Sequence, residues 1–361
     1  MAVTNELKAF SGKRVFVTGH TGFKGSWLCY WLQSLGAIVK GFSLPPATEP
    51  NLFSHMHLGE VMESVMGNIN DYPALLQELT GFKPDFVFHL AAQPLVRKSY
   101  KDPLDTFQTN VVGTANVLQA LNFLNKPCVC VCVTTDKVYQ NNEWIYPYRE
   151  NDRLGGYDPY SASKACAEMV ISSFSNSYFN TDNYSKHNKA IASARAGNVI
   201  GGGDWSEDRL LPDIVRSLSE KKDIIIRNPS AVRPWQHVME PLLGYMQLAL
   251  SLQQDVHKYT GAWNFGPHTE DNFSVLELAR IAINIWGEGN INISQNANAP
   301  HEAHLLRLDI SKATGELKWS PKMRAEEAIQ RTVQWYKAFY KGSSVRNLVE
   351  EDLKYYQSLF N

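Results

Sequence analysis

Two side chains four residues apart, Tyr160 and Lys164, carry the most direct chemical signal in the chain. The run Tyr160-Ser-Ala-Ser-Lys164 follows the turn-rich Gly155-Gly156-Tyr157-Asp158-Pro159 and opens an alanine-rich stretch that reads as a helix. Four residues is about one helical turn, so phenol and ammonium share a face. An ammonium beside a phenol stabilises the phenolate, lowers the phenol's pKa and makes it a usable base near neutral pH. Upstream, Thr134-Thr135-Asp136-Lys137 closes the run Cys128-Val-Cys-Val-Cys-Val133, bringing hydroxyl, carboxyl and amine to one strand end. As a strand, that run points its three cysteines to one face. There they read as small buried hydrophobes rather than metal ligands, and no disulfide is expected.

A second constellation is Gly19-His-Thr-Gly22-Phe-Lys-Gly25. The short apolar run Arg14-Val-Phe-Val-Thr18 precedes it. Trp27, Leu28, Trp31, Leu32 and Leu35 follow at helical spacing, with Gly36 as a C-terminal stop. Residues 37–42 then read as a strand, which completes a βαβ unit. Its glycines let the backbone approach a pyrophosphate, whose charge the N–H groups and dipole of the helix start stabilise. The acidic ribose ligand expected some 20 residues further on is absent; Lys40, Phe42 and Ser43 stand there. Lys40 leaves room for NADP, Ser43 offers only a neutral hydrogen bond, and weak NAD binding is the expectation.

The elements that must position these groups alternate. Residues 63–68 read as a strand, 72–80 as a helix and 85–90 as a buried strand running into Ala91-Ala92-Gln93, small residues that let a cofactor lie against the backbone. Asp102-Pro103 is an N-cap with proline at the first helical position. It opens a long helix marked by Leu104, Phe107, Val111, Ala115, Leu118 and Leu121. The cysteine strand, the Tyr160 helix and a strand over 190–196 follow. Strict alternation implies an α/β fold, a Rossmann-like doubly wound parallel sheet with its ligand crevice at the strands' C-terminal ends. The motifs named so far fall at such ends.

After Gly197 the texture changes to a loop, Gly201-Gly-Gly-Asp-Trp205, and short elements carrying Arg209, Arg216, Arg227 and Arg233. Helices are expected over 240–252, 273–287 and 325–340. We assign 1–197 and 239–266 to an NAD-binding domain, and 198–238 and 267–361 to a smaller, interleaved substrate domain. With 361 residues, 20% charged and a net charge of −1, neither nucleic acid nor an anionic membrane is an expected partner. No apolar run is long enough to span a bilayer. The polar N-terminus lacks a signal-peptide core, so a cytoplasmic protein is expected.

With Thr135 at a strand end, the glycine turn and Tyr160-x-x-x-Lys164 resemble the extended short-chain dehydrogenase/reductase family. The longer blocks Val17-Thr-Gly-His-Thr-Gly-Phe-Lys-Gly-Ser26, His89-Leu-Ala-Ala-Gln-Pro-Leu-Val-Arg97, Gly156-Tyr-Asp-Pro-Tyr-Ser161, Arg195-Ala-Gly-Asn-Val-Ile-Gly-Gly-Gly-Asp-Trp205, Arg233-Pro-Trp-Gln-His-Val238 and His301-Glu-Ala-His304 narrow the likeness, over residues 12–340, to its CDP-glucose 4,6-dehydratase branch. That resemblance implies NAD as cofactor and CDP-glucose as substrate. Oxidation at C4, loss of water across C5–C6 and reduction at C6 would yield a 4-keto-6-deoxy sugar nucleotide.

The implied catalytic set is Thr135, Asp136, Lys137, Tyr160 and Lys164. Asp136 is the expected acid for the 6-hydroxyl. Related dTDP-glucose enzymes carry Asp-Glu where this chain has Asp136-Lys137, so Lys137 serves at C5 either as a neutral base or as a charged stabiliser of the enolate. The implied cofactor contacts are Gly19, Thr21, Gly22, Phe23, Gly25, Ser43, Asn68, Ile69, Leu90, Ala91 and Ala92, with Tyr160 and Lys164. Gln93, Asn198, Arg209, Arg233 and His301 are the expected substrate contacts. His301 and His304 lack a third partner for a metal site, and no metal is expected. Related enzymes suggest a homodimer through the helices that start at Pro103 and Tyr160, and a place in deoxysugar synthesis for surface polysaccharide.

Overall fold

A computed structural model describes residues 2–271, 273–294 and 305–360. Seven parallel strands form its central sheet. They are β1 (Arg14–Thr18), β2 (Ile38–Ser43), β3 (Glu63–Met66), β4 (Phe86–His89), β5 (Cys128–Val133), β6 (Lys189–Ala196) and the edge strand Gly261–Phe265. Their spatial order is Gly261–Phe265, β6, β5, β4, β1, β2, β3, so the order reverses beside β1, where a doubly wound sheet opens its crevice. The alternation read from β5 sorts into two layers. Val129, Val131 and Val133 enter one apolar core, and Cys128, Cys130 and Cys132 the other. A strand buried on both faces suits a parallel sheet covered by helices.

Local chemistry starts the helices: Asp102 as read, and Asp158 as the structure adds. Asp158 caps Pro159–Ser177, its Oδ1 accepting from the Ser161 amide at 2.9 Å and its Oδ2 from the Ser161 hydroxyl at 2.6 Å. Asp102 caps Pro103–Phe107. That helix continues to Asn122, but through a π-turn over Gln108–Val112, which apolar periodicity does not reveal. Inside the turn, the Asn110 amide donates to Ser163 Oγ (2.9 Å) and the Gln93 carbonyl (3.1 Å).

Residues after Gly197 build a smaller core from Leu211, Ile214, Leu218, Ile224, Ile226, Leu278, Ala282, Ile329 and Val333. Between its segments, Gly261–Phe265 pairs with β6 at the sheet edge and Met239–Gln254 packs on the core of the sheet. Residues 267–361 are not one packing unit, however. A helix that periodicity did not single out, Val345–Ser358, lays Val349, Leu353 and Tyr356 onto the core beneath the glycine-turn helix, with Tyr356 edge-on to Trp31 at 5.9 Å. Among the described residues no helix is long and apolar enough to cross a membrane.

Candidate active site

The glycine turn links β1 to the helix Phe23–Ser34, whose first-turn N–H groups have no side-chain cap at Gly22. Gly19 has φ +77°, and a Cβ there would lie 2.7 Å from the Ala91 nitrogen. A Cβ on Gly25 would stand 2.1 Å from the Gly19 carbonyl oxygen. Only glycine lets β1, the helix start and the Leu90–Ala92 backbone approach this closely. That cradle of backbone and uncapped N–H groups fits a dinucleotide pyrophosphate. Around it stand Thr21, Phe23, Ser43, Leu90, Ala91 and Ala92. Thr21 and Ser43 share a 3.0 Å hydroxyl bond. Asn68 and Ile69 follow β3; Asn68 is exposed, while Ile69 is buried against the second core.

Lys40 does not point to the ribose end. Its ammonium is buried in mid-strand and paired with Glu63 at 2.5 Å and Glu78 at 2.6 Å. Burial pulls its pKa down, but the two carboxylates outweigh that and hold it above the usual value. The ammonium is thus already committed to Glu63 and Glu78 and is not a free cation for a 2′-phosphate.

Tyr160, Lys164, Thr135 and Asp136 are all buried and come together where β5 ends. Thr135 lies within hydrogen-bonding reach of the Tyr160 phenol and donates to Asp136 Oδ1 at 2.9 Å. Burial pushes Asp136 above the usual carboxylate range, against the pull of Lys137, Thr135 and Arg233. A carboxyl so placed keeps its proton more readily and can act as an acid.

The expected easy ionisation of Tyr160 does not hold in this structure. Burial drives the phenol up to about 12, only partly offset by Thr135 and Arg209. Lys164 is itself pushed by burial down to about 8 and donates to the Val133 carbonyl at 3.4 Å. Helical spacing placed the pair correctly, but desolvation, which spacing does not report, dominates both groups.

Arg209 and Arg233 flank the site. Arg209 is half-buried, 3.5 Å from Asp204, and its charge reaches Tyr160. Arg233 acts on Asp136 and donates to the Val232 carbonyl at 3.0 Å. Asn198 is half-buried, its carbonyl accepting from the Gln236 amide. Gln93 is buried, and its side chain is spent on its own loop: Nε2 donates to Thr106 Oγ1 and the Leu95 carbonyl, and Oε1 accepts from the Leu95 amide. Its amide is thus engaged within the chain rather than free for a ligand. Arg216 is held by Asp213 and the Trp205 carbonyl, and Arg227 is exposed. Lys137 is half-buried beside Asp136. His301 and His304 lie outside the described residues; among those described, no group of three His, Cys, Asp or Glu side chains is placed to hold a metal.

Two site residues escaped the sequence reading. Lys24, inside the glycine turn, donates to the buried Tyr245 phenol at 3.2 Å. Burial, then the charges of Arg209 and Lys164, push it down to about 7. Tyr245 comes from Met239–Gln254, a helix whose apolar pattern gave no hint of site chemistry. Arg97 pairs with Asp208 at 3.0 Å, joining the loop after β4 to the loop after Gly197.

A glycine cradle after β1, with a tyrosine–lysine helix beside the end of β5, defines a short-chain dehydrogenase/reductase of the extended type. Residues 16–332 match the family model described as GDP-mannose 4,6 dehydratase, and the chain belongs to that family. It is 48% identical over 349 residues to the CDP-glucose 4,6-dehydratase of Salmonella typhimurium (strain LT2), covering 97% of each chain. To the CDP-paratose 2-epimerase of Salmonella typhi it is 27% identical, over 89% of this chain and 98% of the other. Among solved structures, the epimerase Mth375 of Methanothermobacter thermautotrophicus superposes with a TM-score of 0.79 at 23% identity, covering 97% and 98% of the two chains. DesIV, a dTDP-glucose 4,6-dehydratase from Streptomyces venezuelae with NAD and TYD bound, gives 0.75 at 24% identity over 90% and 97%. At these identities the structural likeness speaks for the fold.

Proposed function

We propose that the chain is an NAD-dependent dehydratase that converts CDP-glucose to CDP-4-dehydro-6-deoxy-glucose. The observation that carries this reading is Asp136: a buried carboxyl biased toward its protonated form, one residue from Thr135 and close to Tyr160. A 4-epimerase needs the tyrosine and the lysine, but no acid for a leaving hydroxyl. Gly19, Thr21, Gly22, Phe23, Gly25 and Ser43 would hold the cofactor with Asn68, Ile69 and Leu90 to Ala92. Bound NAD supplies a hydride acceptor at C4 and a hydride donor at C6, and ends as it began.

Tyr160 takes the proton of the 4-hydroxyl in its phenolate form, which burial disfavours and Thr135 and Arg209 partly restore, with Thr135 bonding the same oxygen and Lys164 one helical turn away. The 4-ketone so formed acidifies the C5 hydrogen. Asp136 gives its proton to the departing 6-hydroxyl as water leaves across C5–C6. Lys137, beside Asp136, acts at C5, as base when neutral or by stabilising the enolate when charged. Arg209 and Arg233 match the substrate's pyrophosphate charge, with Asn198 as a neutral contact.

The protein works as a homodimer. Leu104 is 80% exposed and Met169 53%; they lie on the helices Pro103–Phe107 and Pro159–Ser177, which pack on each other, and a second copy would cover them as a four-helix interface. We place the enzyme in the cytoplasm, in deoxysugar synthesis for surface polysaccharide. The test is CDP-glucose carrying deuterium at C4. Label recovered at C6 with loss of water is expected; label returned to C4 in an epimerised sugar would overturn the reading. The same assay with UDP- and dTDP-glucose checks the base preference.

A further inference from the structure

We propose that Glu168 is a positioning residue for this site: its buried carboxylate ties the helix bearing Tyr160 and Lys164 to the strand end bearing Thr135 and Asp136, and supplies the negative charge that the Lys164 ammonium faces. The inference rests on the reading above that Tyr160 and Lys164 perform the oxidation at C4.

Tyr160, Lys164 and Glu168 stand at i, i+4 and i+8 on one face of Pro159–Ser177. Glu168 Oε1 accepts from Thr134 Oγ1 at 2.5 Å, and Thr134 immediately precedes Thr135. Oε2 accepts from Ser193 Oγ and from the Arg195 guanidinium, each at 2.8 Å, both on β6. One side chain thus clamps the helix to two adjacent strands. Lys164 Nζ donates to the Val133 carbonyl, one residue before Thr134, so ammonium and carboxylate grip neighbouring residues of the same strand end. Arg195 pairs with Oε2, leaving Oε1, bonded only to Thr134, as the carboxylate oxygen without a cationic partner. It extends the other way, donating to the Tyr139 hydroxyl at 2.8 Å and the Glu150 carbonyl at 3.0 Å.

The surroundings of Lys164 make the carboxylate matter. Burial works against its charge, and that charge in turn helps push down the nearby Lys24. His89, wedged between Thr18 and Thr114 at 2.7 and 3.0 Å, is pushed down to about 3 by burial and by Lys164, so it is neutral. The thiol of Cys132 and the phenol of Tyr160 are the other ionisable groups around it. Glu168 is the strongest influence holding Lys164 protonated, while Arg195, Thr134 and Ser193 keep Glu168 ionised against its own burial. A buried acid so bonded stays charged.

The experiment separates charge from clamp. In the full-length chain labelled with ¹³C at lysine Cε, the resonance lost in Lys164→Met is followed by NMR against pH. In Glu168→Gln its midpoint is expected to fall by about one unit or more. In Thr134→Val, which keeps the carboxylate, the midpoint stays while kcat falls about tenfold at unchanged KM. An unmoved midpoint in Glu168→Gln, or unchanged kcat in Thr134→Val, overturns the proposal. Should Glu168→Gln not fold, Ser193→Ala joins Thr134→Val as a second clamp variant, and full kcat in both overturns it. The midpoint is read without substrate and so stands apart from the dehydratase assignment, whose failure would show in the deuterium assay as wild-type protein that does not dehydrate CDP-glucose.

Discussion

Replacing Glu240 by glutamine should stabilise the protein above neutral pH and do nothing comparable in mild acid. Glu240 is fully buried at the start of Met239–Gln254, the helix that delivers Tyr245 to the site. Oε1 accepts from the amides of Lys322 (2.8 Å) and Met323 (2.7 Å), and Oε2 accepts from the Tyr356 hydroxyl at 2.7 Å. The carboxyl thus joins the sheet region, the stretch before Ala325 and the C-terminal helix. Burial pushes it from 4.5 up to about 7, more than these donors can offset. The folded state therefore binds this proton more tightly than the unfolded chain. The associated stability is fully present below about pH 4.5 and is lost as pH rises through 7. A displacement of roughly two to three units corresponds to about 3 kcal/mol at pH 8. Glutamine keeps the geometry, since its oxygen accepts from both amides and its NH₂ donates to the Tyr356 oxygen. Urea denaturation of wild type and Glu240→Gln should show a variant advantage of about 3 kcal/mol at pH 8 that closes toward pH 5. Equal stability at both pH values, or an advantage that grows toward acid, would refute the reasoning.

Other consequences concern the site directly. Gly25→Ala must displace the Gly19 carbonyl, because its Cβ would sit 2.1 Å away; NAD affinity by fluorescence titration should drop at least tenfold, about 1.4 kcal/mol. Asp136→Asn keeps the shape but not the proton, and should slow dehydration by about 10²–10⁴-fold, measured by release of 4-keto product. With only the Ser43 hydroxyl and no carboxylate at the end of β2, extensive dialysis should remove most bound NAD; full occupancy afterwards would contradict this. Leu104→Glu should convert a dimer to a monomer in light scattering, without changing the far-UV circular dichroism.

The alternation of strands and helices, the glycine turn and the places where motifs meet strand ends are legible along the chain. These depend on local periodicity, capping and steric rules that act over a few residues. Tyr160 and Lys164 share a face because a helix repeats every 3.6 residues, and Asp102-Pro103 announces the helix that follows it. Tertiary structure decided what depends on distant neighbours. Lys40 paired with Glu63 and Glu78, Gln93 was absorbed by its own loop, and Lys24 met Tyr245 from 221 residues away. Above all, burial set the charges. Adjacency suggested an easily ionised Tyr160, whereas desolvation raised that phenol and lowered the ammonium beside it. Desolvation is a property of everything packed around a group, and no spacing along the chain reports it.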